Sequence, residues 1–285
     1  MFEGVETVMT KVAILGAAGR MGRTLIRCAQ RMEGIQVVAA IELKDSPSIG
    51  QDAGTIAELP EIQVKITDDL KAMSSADVAI DFTLHDAVAQ HAGLATELGV
   101  PMVIGATGLD AAERAAIEKA AVTVPIVWAP NMSLGVNLLF SVLKKAGQVL
   151  GRDYKVEIDE THHVNKKDSP SGTALRLGGK VAEGLGVDFK TVMVHEHREA
   201  FASSDTDEEK IYPSYPDGSI LIRSYREGEV IGDHTVTFGN DGETIEFTHH
   251  AWSREAFAMG ALRAAQWVVT QRPGRIYDMQ DVLGL

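Results

Sequence analysis

The sequence predicts an α/β protein: a doubly wound parallel sheet followed by a second, α+β domain on a mixed sheet. Three observations lead there. Short apolar runs alternate with amphipathic segments over residues 11–128, the pattern of parallel strands covered on both faces. A glycine-rich turn joins the first run to the first helical segment. Past residue 133 the alternation stops, and most of the later apolar runs are separated by tight-turn signals.

Residues 11–15 (KVAIL) form the first strand. Residues 20–32 form the first helix, with Met21, Leu25, Cys28, Ala29 and Met32 on one face. Residues 35–41 and 77–82 read as further buried strands, and residues 85–98 as a helix stopped by Gly99. Strands at 102–104 and 125–128 flank an alanine-rich helix at 111–121. In the second domain a helix runs to about residue 150, a strand YKVEIDETHH starts at Tyr154, and a helix spans about 173–184. Strands at 219–225, 229–238 and 243–249 are divided by Glu227-Gly228 and by Asn240-Asp241-Gly242. Helical spacing returns at 254–269 and near 279–283, and residues 203–210 (SSDTDEEK) read as a solvated loop.

A length of 285 residues suits two domains. With 27 basic and 40 acidic side chains the net charge is −13, which disfavours a polyanion as partner, whether nucleic acid or anionic membrane. The single cysteine, Cys28, has no disulfide partner within the chain. The acidic start MFEGVETVMT is unlike a secretory signal, so a cytoplasmic protein is expected. Residues 120–143 lack charge for a bilayer-spanning length, but Pro125, Pro130, Asn131 and Asn137 interrupt them.

The turn GAAGRMG places Gly16, Gly19 and Gly22 between strand and helix. Residues without a Cβ there let backbone N–H groups and the positive helix end approach a pyrophosphate, as in a Rossmann-like domain. Glu42 ends the second strand 20 residues beyond Gly22, placed to accept hydrogen bonds from an adenosine ribose. Leu43 follows it, and Lys44 and Arg20 are the nearby cations available to a 2′-phosphate. The loops at Gly105–Gly108 and Ala129–Ser133 leave later strands of the same sheet and are candidate nicotinamide contacts.

Residues 161–180 hold four basic side chains, Lys166, Lys167, Arg176 and Lys180, against one acid, Asp168. His162 and His163 end a strand, and Ser169-Pro170-Ser171-Gly172-Thr173 reads as a helix entry suited to a carboxylate. Histidine and lysine can both move protons near neutral pH. Adjacent strand residues face opposite ways, so His162 and His163 have different roles. His162-His163, His195-Glu196-His197 and His249-His250 lack the spacing of a strong metal motif, and no metal is expected.

Together GAAGRMG, IDFT at 80–83, VIGATG at 103–108, APNMSLGVN at 129–137 and ETHHVNKKDSPSGTA at 160–174 resemble the dihydrodipicolinate (4-hydroxy-tetrahydrodipicolinate) reductase family of lysine and diaminopimelate synthesis. The resemblance covers essentially the whole chain. It implies reduction of a cyclic dicarboxylate by NADH or NADPH: hydride passes from nicotinamide C4, an acid delivers a proton, and water is lost. It implies His162 as proton donor or acceptor, Lys166 as second proton donor, and His163, Gly172 and Thr173 as substrate contacts. For the cofactor it implies Gly16, Ala17, Ala18, Gly19, Arg20, Met21, Glu42, Gly105, Ala106, Thr107, Ala129, Pro130, Asn131 and Met132. Many members carry arginine where Leu43 stands, so a strong NADPH preference is not expected. The resemblance also implies a homotetramer built through the second domain, 134–249, and a nucleotide domain of 1–133 completed by 250–285. The rival expectations are a non-catalytic dinucleotide sensor and another reductase of this fold, such as an aspartate dehydrogenase.

Overall fold

The computed structural model describes residues 9–198, 216 and 218–285. The chain start at 1–8 and the loop expected at 203–210 lie outside the described residues. In chain order the elements begin β1 (Thr10–Leu15), α1 (Arg20–Ala29), β2 (Ile35–Ile41), α2 (Ala53–Ile56), β3 (Ile66–Thr67), β4 (Val78–Asp81), α3 (His85–Leu98), β5 (Met102–Ile104), α4 (Ala111–Ala121) and β6 (Ile126–Trp128). Then come α5 (Leu134–Leu150), β7 (Lys155–His162), α6 (Gly172–Leu185), α7 (Phe189–Val192), β8 (Met193–Arg198), β9 (Ile220–Arg226), β10 (Asp233–Gly239) and β11 (Thr244–His250). The chain closes with α8 (Glu255–Val268), β12 (Ile276–Tyr277) and α9 (Met279–Leu283). It divides into two compact units, 1–134 with 254–285, and 135–253.

The first unit is a seven-stranded parallel sheet in the order β12-β6-β5-β4-β1-β2-β3. From β1 the chain adds β2 and β3 on one side, then returns through β4 to build the other, so a topological switch lies between β1 and β4. Period-two alternation divides the strand side chains between two cores. Val12 and Ile14 join α1, α2, α8 and α9 on one face, whereas Ala13 and Leu15 join α3 and α4 on the other. α4 is held by a reciprocal capping box of Asp110 and Glu113, and α3 ends at Gly99 with φ +71°.

The second unit is a mixed five-stranded sheet, β11-β10-β7-β9-β8, with β7, β9 and β8 parallel and β10 and β11 antiparallel. Val156 and Ile158 of β7, Ile220 and Ile222 of β9, and Val236 and Phe238 of β10 pack with α5 and α6 into one core. Three details differ from expectation. α1 stops at Ala29, where the Gln30 N–H closes back on Cys28 and Ile26. β10 starts at Asp233, because Glu227–Val230 is a turn closed by the Val230 N–H on the Glu227 carbonyl. β8, MVHEHR, adds a strand to those expected at 219–225, 229–238 and 243–249, and it is held by parallel pairing with β9. Among the described residues no helix is long and apolar enough to cross a membrane.

Candidate active site

In the first unit the candidate residues gather at the carboxyl ends of adjacent parallel strands. After β1, Gly16 turns with φ +70°, and a Cβ on Gly22 would lie 2.1 Å from the Gly16 carbonyl oxygen. Only glycine at 22 lets α1 start this close to the turn. Gly19 caps α1 without a side-chain hydrogen bond, and the first turn carries no acidic residue, so the positive helix end has neither a capping side chain nor an acid of its own. Glu42, just past β2, accepts hydrogen bonds from the N–H groups of Ala18 (2.8 Å) and Leu43 (3.1 Å). Its carboxylate therefore stands against the glycine turn, while Leu43 is 75% exposed.

The later loops interlock with this turn. Asp81, fully buried at the end of β4, accepts from the Thr83 N–H (2.9 Å) and hydroxyl (2.6 Å) and pairs with His91 Nδ1 (2.8 Å). A Cβ on Gly16 would meet the Thr83 methyl at 3.1 Å, and one on Gly105 would enter the Phe82 ring at 2.2 Å. Trp128 Nε1–H donates to the Ala106 carbonyl (3.3 Å), and Asn131 Oδ1 accepts from the Ser133 N–H (2.9 Å). α8 presses on the last loop so closely that a Cβ on Gly260 would sit 1.8 Å from the Met132 carbonyl oxygen. The side chains of Ala17, Ala106, Ala129 and Met132 are buried, leaving their backbone for any ligand, whereas Arg20, Thr107 and Pro130 are exposed. A cradle that Cβ atoms would fill, an uncapped helix end and a carboxylate beside it fit a pyridine dinucleotide.

In the second unit the strand register builds the site. Glu160 of β7 lies opposite Ser224 of β9 and His234 of β10; Ser224 in turn opposes His197 of β8, and His234 opposes His249 of β11. A polar row thus crosses five strands, on the face whose next row is the apolar Ile158 and Val236. His162, two residues beyond Glu160, shares that face. His162 Nδ1 pairs with Glu160 Oε2 in a short contact, and Glu160 Oε1 accepts from Arg226 Nη1 and from the Ser171 N–H, both at 3.2 Å. Burial alone would raise the Glu160 pKa, but hydrogen bonds from His162 and Ser224 and the charges of His162 and Arg226 outweigh it and hold it at about 2.

His234 stacks edge-on to His162 at 5.1 Å, and its Nε2 pairs with Ser171 Oγ (3.2 Å). Burial, and then the positive charge of His162, lower its pKa to about 3, so it stays neutral near pH 7. Ser171 also caps α6 by accepting the Ala174 N–H (3.1 Å), and Gly172 and Thr173 open a first turn free of acidic residues. The Lys166 ammonium lies 2.8 Å from Asp168 Oδ2. Burial opposes ionisation of Asp168, yet the Lys166 hydrogen bond and charge win and lower its pKa. His163, only half-buried, is pinned through its backbone N–H to the Val230 carbonyl at 2.7 Å. His195 and His197 both contact the Ser169 hydroxyl, and His195 also contacts Ser224.

Glu160, His162 and His234 each offer a possible metal-ligating atom, all within 4.8 Å of one another. The Arg226 guanidinium already occupies that carboxylate, an arrangement unfavourable to a cation. Sequence reasoning passed over Glu160 and Arg226. The E-x-H spacing on a strand was the available signal for Glu160, whereas Arg226 needs the β7–β9 register.

Two family models match the chain: "Dihydrodipicolinate reductase, N-terminus" over residues 10–132 and "Dihydrodipicolinate reductase, C-terminus" over 135–283. A 4-hydroxy-tetrahydrodipicolinate reductase of Anaeromyxobacter dehalogenans (strain 2CP-1) is 46% identical, covering 97% of this chain and 98% of that one. One from Citrifermentans bemidjiense is 45% identical, covering 97% and 100%. The dipicolinate-bound dihydrodipicolinate reductase of Paenisporosarcina sp. TG-14 has a similar fold, with TM-score 0.72, 24% identity, and coverage of 96% and 99%. An amine dehydrogenase of Mycobacterium smegmatis is a more distant fold relative, with TM-score 0.57, 15% identity, and coverage of 94% of each chain.

Proposed function

The chain belongs to the dihydrodipicolinate reductase family, and from that premise we propose how its residues divide the work of the reaction. The activity is pyridine-nucleotide-dependent reduction of 4-hydroxy-tetrahydrodipicolinate in lysine and diaminopimelate biosynthesis. The observation that carries the division of roles is that Glu160 holds His162 and the Ser171 N–H at the acid-free entry of α6, while Arg226 joins the same carboxylate to the Asp168 carbonyl and Asp168 pairs with Lys166. When bound, the reduced nicotinamide supplies the hydride.

Gly16 to Met21 and the open end of α1 hold the pyrophosphate, Glu42 takes the adenosine ribose, and the backbones of Gly105–Thr107 and Ala129–Met132 receive the nicotinamide end. Either NADH or NADPH serves: Glu42 favours a free ribose, while Leu43 provides no guanidinium for a 2′-phosphate. In the second unit the N–H groups of Gly172 and Thr173 bind one substrate carboxylate with help from the helix dipole, and His163 contributes to the same anchoring. Lys166 leaves Asp168 to meet the substrate and acts as one proton donor, and His162 exchanges the other proton. The oxygen lost from the substrate departs as water once protonated. Homotetramer assembly through the second unit and a cytoplasmic location belong with this reading.

The test is oxidation of NADH and NADPH with freshly generated synthase product, run beside a panel containing oxaloacetate with ammonia. Turnover confined to the synthase product supports the assignment. Turnover of the smaller acid, or dinucleotide binding with no turnover, contradicts it.

A further inference from the structure

We infer that Glu160 is the positioning residue of the proton-transfer step: it commits Nδ1 of His162, so that Nε2 is the atom that exchanges the proton, and Gly232 keeps that atom accessible. The inference rests on the role given to His162 above. It deepens that role from a residue to an atom.

Glu160 cannot readily turn away from His162. One carboxylate oxygen meets the imidazole, and the other is fixed by the Ser171 N–H and by Arg226. With its pKa at about 2 the carboxylate is ionised at any working pH and can only accept. Nδ1 therefore carries a proton whether the ring is neutral or charged, as in other carboxylate-oriented histidines. A neutral ring then has its lone pair on Nε2, and a charged ring has its transferable proton there. In the reaction the neutral Nε2 takes the carbon-bound proton released as water leaves with the proton from Lys166, and Nε2–H returns that proton to the substrate as hydride arrives from the reduced dinucleotide, so that one proton is consumed per turnover.

The opposite side of the ring agrees. A Cβ at position 232 would lie 3.0 Å from His162 Nε2 and 3.3 Å from Cδ2, closer than side-chain neighbours ordinarily sit. A methyl at 232 would make the His162 ring give by a few tenths of an ångström at the working atom. His234, the other ring beside His162, is neutral near pH 7 and supplies no competing charge.

The experiment compares His162→Gln, Glu160→Gln, Glu160→Asp and Gly232→Ala in steady-state turnover of the synthase product, with ¹⁵N spectra of histidine-labelled protein. His162→Gln and Glu160→Gln should each lower kcat at least about tenfold, with substrate KM within about threefold of wild type. Glu160→Gln should also replace the fixed Nδ1–H signature of His162 by a tautomer mixture, and Glu160→Asp should recover part of both. Gly232→Ala should lower kcat with the Nδ1–H signature intact. If Glu160→Gln keeps kcat within about threefold while His162→Gln is slow, the positioning role is overturned and the role of His162 survives. If His162→Gln itself turns over normally, the underlying assignment fails. Should Glu160→Gln not fold, Gly232→Ala decides: an unchanged kcat overturns the claim for Nε2.

Discussion

Replacing His234 by glutamine should flatten the loss of stability on mild acidification. His234 is 4% exposed, and its pKa is lowered from 6.5 to about 3, burial first and the neighbouring charge of His162 second. The unfolded chain takes up a proton near pH 6.5 that the folded chain refuses until about pH 3, so this contribution is complete above 6.5 and falls with pH across that window. For one proton the slope is about 1.4 kcal/mol per pH unit, or about 2 kcal/mol between pH 7 and pH 5. Glu160, also depressed, acts with the same sign but between its ordinary value of 4.5 and about 2, outside that interval. Urea unfolding of wild type and His234→Gln at fixed protein concentration, at half-unit steps from pH 7 to pH 5, reads the difference directly. The variant's absolute stability is immaterial; its slope should be shallower by roughly 1 kcal/mol per unit near pH 5. Parallel curves would refute the reasoning.

Two further outcomes follow from the first unit. Gly260→Ala forces a methyl into the Met132 carbonyl at 1.8 Å, so it should destabilise the unit by about 1–3 kcal/mol and weaken NADH binding measured by fluorescence; an unchanged midpoint and Kd would show that the last loop does not depend on α8. Wild-type kcat/KM for NADH and NADPH should differ by less than about 100-fold, and Leu43→Arg should move the ratio toward NADPH by direct measurement of both. A larger NADPH preference in wild type would mean that Arg20 or Lys44 supplies the phosphate contact.

What could be read in the sequence followed from local rules. The alternation of strands and helices, the glycine spacing at 16, 19 and 22, and Gly99 closing α3 are all short-range signals, and the parallel sheet they imply is present. The second sheet was legible as mixed, but not in its order, because β7 pairs with β9 and β10 across intervening chain. That pairing lines Glu160 up with Ser224 and His234, and no local pattern contains it. Gly260 is similar: nothing near it marks a close approach to Met132, over a hundred residues earlier. His162 and Lys166 were visible through their motif, whereas the carboxylate that orients His162 emerges only from strand alternation and register.

The central claim is that His162 and Lys166 move the protons of a reduction whose carboxylate anchor is the entry of α6. The most direct measurement is the single-turnover rate of dinucleotide oxidation at saturating synthase product for wild type, His162→Gln and Lys166→Ala. The account predicts that each variant still binds NADH normally, since the contacts proposed for the dinucleotide belong to the first unit, and oxidises it at least about a hundredfold more slowly. Wild-type single-turnover rates in both variants would contradict it.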